Sequence, residues 1–162
     1  MQETFKQAMS RFATGVCVVT YHNPKTNEID GVTISAFSSV SLSPLKILFC
    51  IGNMGKSYEI LKDVKQFSVN ILSSKQKALA YQFAGQNREN LADVITDTDG
   101  VPMIKDCLAN VICDKGNSYA EGDHDIVIGN AQKVLLADTD NADIEPLLYY
   151  QSAIIEDYQH NA

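Results

Sequence analysis

The chain has 162 residues, of which 45% are hydrophobic and 20% charged, and its formal net charge is -7 from 20 acidic and 13 basic side chains. Length and composition are those of one globular domain over residues 1–162 rather than of a disordered segment. The acidic balance argues against a nucleic-acid partner, which needs a basic face, and against an anionic membrane surface.

The elements follow in chain order. Phe5, Met9 and Phe12 recur at helical spacing, with Gly15 as the expected stop. "VCVVTY" (16–21) reads as a strand rich in β-branched residues. "HNPKTNEIDG" carries turn chemistry, and "GVTISAF" begins a second strand. "SSVSLSP" reads as a polar loop, and "KILFCI", almost wholly apolar, as a central third strand. "SYEILKDV" is a short helix and "QFSVNIL" a fourth strand. "SSKQKALAYQFAG" is a helix with a serine cap and Gly85 as terminator. The polar "QNRENLADVITDTDGVPM" is expected to be a surface loop. "CLANVICDKGNSYA" and "HDIVIGNAQKVLLA", joined by "EGD", form an antiparallel hairpin, and "PLLYYQSAII" is the last apolar run. Strands outnumber helices and hairpin connections dominate, which predicts a β-barrel with a few short helices.

No apolar run reaches membrane-span length, and "MQETFKQAMSRFATG" has no signal-peptide core, so a cytoplasmic location is expected. Cys17, Cys50, Cys107 and Cys113 form no CxxC pair, and most lie in apolar runs, so reduced, buried thiols are expected. His22, His124 and His160 are too scattered to propose a zinc cluster, and no metal is expected.

Three stretches carry candidate chemistry. "CIGNMGKS" (50–57) has the strand–turn–helix layout of a phosphate-binding loop, but a Walker motif needs glycine where Cys50 stands. What remains is a turn opening a helix, with free N–H groups, the Lys56 charge and the Ser57 hydroxyl. It either meets a phosphate or is simply a capped helix start. "GVTISAFSSVSLSP" (31–44) offers small hydroxyl residues along which a flat ligand can approach the backbone, or else is an edge strand with a serine-rich turn. His124, between Asp123 and Asp125, either orients a substrate or is a half-exposed histidine beside a carboxylate. The Tyr149-Tyr150 pair either stacks on a ligand or packs a barrel end.

Taken together and in order, "FATGVCVVT", the T-x-S-x-F-x-S-x-S run, "FSVNIL" leading to "FAG", and "GDH-x-I-x-I-G", followed by "PLLYY", resemble the short-chain flavin reductases of two-component flavin-dependent monooxygenases. The resemblance spans about Phe5 to Tyr150. It implies a mainly β fold with short helices, an antiparallel FMN-binding split β-barrel of six strands, in a homodimer. It implies bound FMN or FAD, reduction by NADH or NADPH, and supply of reduced flavin to a partner oxygenase. The alternative within the family is a flavin-binding electron-transfer or storage protein without its own NAD(P)H oxidation. Carried over by position, Thr33, Ser35 and Ala36 would lie along the isoalloxazine edge, and Ser39 and Ser41 toward the ribityl and phosphate end. Cys50, Gly52, Asn53, Lys56 and Ser57 would lie near the ribityl chain and phosphate. Phe83 and Arg88 would lie near the flavin, and His124 near the nicotinamide. The chain departs from the family where Pro44-Leu45 replaces a frequent proline pair, and the segment "QNRENLADVITDTDG" has no counterpart.

Overall fold

The computed structural model describes residues 1–85, 91–137 and 145–155. Helix α1 (Gln2–Ser10) leads into a two-residue strand β1 (Thr14–Gly15) and then β2 (Cys17–His22), β3 (Ile29–Ile34), β4 (Phe37–Leu42) and β5 (Leu45–Gly52). Helix α2 (Lys56–Leu61), β6 (Gln66–Ile71), a 3-10 turn (Ser74–Gln76) and α3 (Lys77–Phe83) follow. A short α4 (Leu91–Val94) precedes the small hairpin β7 (Ile95–Thr98) and β8 (Val101–Ile104). The long hairpin β9 (Ala109–Glu121) and β10 (His124–Leu136) comes next, and β11 (Leu148–Tyr150) and β12 (Ala153–Ile155) close the described chain.

Seven strands form one antiparallel sheet in the order β3-β2-β6-β9-β10-β5-β4. Laid flat, its outer strands would stand about 29 Å apart at about 4.8 Å per strand. Yet β3 and β4 are separated only by Ser35 and Ala36, and three peptide steps reach about 11 Å. The sheet must therefore curl until its two edges meet. They meet without forming a ladder, which leaves a seam: the barrel is split there. Cys50 N donates to Ala36 O at 3.0 Å beside that seam.

Period-2 alternation sorts β2 into two cores. Cys17, Val19 and Tyr21 point into the barrel with Ile34, Phe49, Phe67, Val69 and Val127, where the Phe49 and Phe67 rings meet edge-on at 5.4 Å. Val16 and Val18 point outward, under α3, with Leu72, Ala80, Phe83 and Leu147. Residues 16–21 are buried on both faces for this reason, which is why that stretch reads as an unbroken apolar run. Asn70 fills the polar gap between barrel and small hairpin. Its Nδ2 donates to Val18 O and Thr20 Oγ1, and its Oδ1 accepts from Ile104 N and Asn110 Nδ2. Each polar atom of this fully buried amide is thus paired.

Several sequence expectations are corrected. The serine run is strand β4, not a loop, and with β3 ending at Ile34 the barrel sheet has seven strands rather than six. The strand read as central, β5, is next to the edge, with only alternate residues buried. Helix α1 stops at Ser10, and Gly15 pairs with Leu148 instead of ending it. The expected surface loop after residue 90 contains α4 and the β7–β8 hairpin, turning on Asp99 and Gly100 at positive φ. None of the described helices is long and apolar enough to cross a membrane.

Candidate functional site

Strands β5 and β10 carry one outward face of the candidate site. Ile47, Phe49 and Ile51 of β5 are buried, so Cys50 and Gly52 face out. Asp125 and Val127 of β10 are buried, so His124 and Ile126 face out. The register pairs Gly52 with His124 and Cys50 with Ile126. A Cβ on Gly52 would lie 3.8 Å from His124 Nε2, so the imidazole leans over a backbone with no side chain of its own. Asn53 fixes the hairpin tip: its N donates to Asp123 O at 3.0 Å and its Nδ2 to Gly122 O at 3.1 Å.

His124 Nδ1 lies 2.8 Å from Asp123 Oδ1. A carboxylate only accepts, so Nδ1 carries the proton and Nε2 is left for a ligand. The hydrogen bond from His124, with its charge, holds the Asp123 carboxyl below its ordinary value.

Ser35 and Ala36 form the seam between β3 and β4. Ser35 lines a cavity of about 300 Å³ with Thr33, Tyr81, Tyr149 and Ile154. Ser35 and Ala36 also line an adjoining groove of about 590 Å³, closed on one side by Phe5 and Met9 of α1 and by Phe12 just beyond it. Tyr149 and Ser152 line both. Thr14 Oγ1, also in the groove wall, has no hydrogen-bond partner among the described residues. Both volumes fall in the range of about 300–1,000 Å³ usual for small-molecule clefts. A larger cavity, about 790 Å³, lies elsewhere, between α3 and Lys105, and holds none of the sequence candidates.

Lys56 and Ser57 open α2. Gly55 is the helix N-cap and offers no side-chain bond. The Ser57 hydroxyl reaches Gly31 O at 3.4 Å, so it is not the cap. Lys56 lines a third cavity, of about 320 Å³, with Lys25, Glu59, Lys62 and Asp63. Lys25 stands 3.9 Å from Asp63 and Lys62 2.7 Å from Glu59, while Lys56 has no such partner among the described residues.

Not every candidate converges. Thr33 Oγ1 already donates to Ala80 O at 2.6 Å. Phe83 is 2% exposed and packs in the core beneath α3, its ring against Gly31. Ser39 and Ser41 run along β4 away from the seam, and Ser41 pairs with Lys46 at the far end of β5. Six residue steps separate Lys46 from Gly52, about 20 Å along a strand. Ser41 therefore stands beside the opposite end of β5 from Gly52. Arg88 lies outside the described residues. Among the described residues no cluster of His, Cys, Asp or Glu is placed to hold a metal.

Sequence reasoning missed Ser152, which sits with Gln151 at positive φ in the β11–β12 turn, where no glycine announces the bend. It also missed the bond from Tyr58 on α2 to Asp125 on β10.

The chain belongs to the family described as "Flavin reductase like domain", which it matches over residues 9–155. It is 34% identical to the reductase component of 4-hydroxyphenylacetate 3-monooxygenase from Thermus thermophilus, over 93% of each chain. The solved flavin reductase PheA2 superposes with a TM-score of 0.85 at 36% identity, over 98% of this chain and 99% of that one. The NADH:FAD oxidoreductase SgcE6 of Streptomyces globisporus, solved with NAD and FAD fragments, gives 0.85 at 26% identity over 99% and 94%.

Proposed function

We propose that the protein is an NADH-dependent flavin reductase that reduces FMN or FAD and passes the reduced flavin to a partner oxygenase. The observation that carries this is the convergence of Ala36, Cys50, Gly52 and His124 at the barrel seam of a chain that belongs to this family. A bound flavin supplies the hydride acceptor and carries the electrons onward.

The residues present suit such a group. Gly52 and Ala36 let a flat ring approach the backbone. Ser35 and Ala36 N–H groups make no backbone bond among the described residues and stand ready as donors for a ring edge that gains negative charge. Lys56 supplies the unpaired positive charge a phosphate needs. His124, oriented by Asp123, presents Nε2 beside Gly52, where a nicotinamide amide would be held. No residue here is asked to act as nucleophile. Purified protein mixed with NADH and with FMN or FAD in turn should consume NADH at the nicotinamide absorbance band. Flavin binding without NADH consumption would make it a flavin carrier instead.

A second copy of the chain is the expected cover for the groove. Phe5 of α1 and Phe12 just beyond it are 66% and 70% exposed beside Ser35 and Ala36, large rings of the kind an interface covers. Phe12→Glu should convert a dimer to a monomer by light scattering, and a monomeric wild type would refute the homodimer. The match over residues 9–155 supports reading residues 1–162 as one domain, and the four free cysteines fit a cytoplasmic location.

A further inference from the structure

Asp125 is an awkward residue for a barrel strand. It is 7% exposed, its Oδ1 has no partner among the described residues, and its Oδ2 accepts one bond, from Tyr58 OH at 3.0 Å. A cavity of about 100 Å³ lined by Tyr58, Lys115 and Ser118 lies beside it. Burying a half-satisfied carboxylate costs stability that an apolar side chain of similar size would not. Its presence therefore calls for a role beyond holding the fold.

Its position supplies one. Consecutive strand residues point to opposite faces, so His124 faces Gly52 while Asp125 faces α2. Tyr58 directly follows Lys56 and Ser57. Helix α2 has six residues, far below the length at which a helix is stable alone, and Gly55 gives it no side-chain cap. Where Lys56 stands thus depends on tertiary bonds. At the far end of α2, Lys115 Nζ donates to Leu61 O and Lys62 O at 2.8 Å. At the near end, Tyr21 OH donates to Ser57 O at 3.2 Å and Ser57 Oγ to Gly31 O at 3.4 Å, both long. The Tyr58–Asp125 bond ties this end of the helix to the strand that carries His124. The hydrogen bond to Asp125, followed by burial and the carboxylate's charge, raises the Tyr58 phenol above its ordinary value, so it remains a donor.

We propose that Tyr58 and Asp125 are positioning residues that set Lys56 against the flavin phosphate and fix that turn relative to His124. This rests on the flavin-reductase reading and on Lys56 as its phosphate contact.

Four proteins test it: wild type, Tyr58→Phe, Lys56→Ala and the double variant, each titrated with FMN and with riboflavin, which has no phosphate. Tyr58→Phe should weaken FMN about tenfold, leave riboflavin within about twofold, and add nothing on the Lys56→Ala background, the signature of residues acting through one another. Asp125→Asn, whose amide oxygen still accepts from Tyr58, should keep FMN affinity. Should Tyr58→Phe fold poorly, Asp125→Leu removes the same bond together with the buried charge and should show the same FMN-selective loss. A merely structural tether would lower the melting temperature without changing the FMN-to-riboflavin ratio, and that result overturns the proposal. Full additivity with Lys56→Ala overturns it too. If Lys56→Ala leaves the ratio unchanged, the phosphate contact itself is wrong and this inference falls with it. A wild type that binds flavin but does not oxidise NADH refutes the reductase reading while a selective, non-additive Tyr58 effect still stands.

Discussion

Gly31→Ala probes the join between barrel, α2 and α3. Gly31 pairs with Thr20 on β2, its carbonyl receives the Ser57 hydroxyl, and the Phe83 ring covers it. A Cβ there would stand 2.5 Å from Val19 O and 3.0 and 3.1 Å from two Phe83 ring carbons. The nearest atom is backbone of the neighbouring strand, locked in a ladder on both sides, and it cannot swing aside as a side-chain tip would. Overpacking of this kind costs about 1–3 kcal/mol, and the backbone clash puts it at the upper end. The lower freedom of the unfolded alanine chain returns about 0.4–1 kcal/mol. The net loss is about 2 kcal/mol, or about 4–8 °C in melting temperature for a chain of this size. Gly55→Ala is the control, since a Cβ there meets nothing within 4 Å and φ is -97°. Thermal and urea melts of both variants measure the difference. A Gly31→Ala protein as stable as Gly55→Ala would refute the close packing of β2, β3 and α3.

Three other outcomes are expected. His124→Ala should lower kcat/KM for NADH by about tenfold or more through lost positioning while flavin titration is unchanged, and unaltered NADH kinetics would remove His124 from the site. Asn70→Leu should cost about 1–3 kcal/mol, because it strands the Ile104 N–H in the interior, while the Thr20 hydroxyl keeps its bond to Pro102 O; a urea melt measures it. Burial pushes the Cys17, Cys107 and Cys113 thiols up to about 12, so only half-buried Cys50 should react with a thiol reagent in the native protein at pH 8, and all four in denaturant. The sign for stability follows from the raised values. Below pH of about 9 both states hold the thiol protons, and from there to about 12 only the unfolded chain releases them, so stability should fall as pH rises through that window.

The barrel was legible where strands are buried on at least one face and turns carry glycine or proline. "VCVVTY", "QFSVNIL" and the two arms around "EGD" announce themselves by β-branched and alternating residues. Strand β4 did not, because it lies on an edge with most positions exposed, and its serines read as loop. The β11–β12 hairpin hid for another reason: Gln151 and Ser152 adopt positive φ that sequence rules reserve for glycine or asparagine. In α1 the helical period was visible, but periodicity says that a face is apolar and not what covers it. In the site, Gly52 and His124 were each nominated singly, yet their pairing depends on the register of β10 against β5, which no local spacing encodes. Phe83 shows the converse. The resemblance alone placed it near the flavin, while its burial and its packing against Gly31 could not be read from the sequence.

The seam also explains how an acidic chain can hold an anionic ligand. A net charge of -7 repels phosphate at long range, so binding must rest on groups at contact distance. In a fully closed barrel each strand N–H is spent on a neighbour. Here the sheet runs out of partner at Ser35 and Ala36, beside a strand whose outward residues are Cys50 and Gly52. Around Lys56 the acidic residues are taken up locally, Asp63 with Lys25 and Glu59 with Lys62, which leaves the Lys56 charge unneutralised among the described residues. Local pairing thus leaves one positive charge at the start of α2 despite the surplus of carboxylates, and the split leaves a polar edge that a closed barrel would lack.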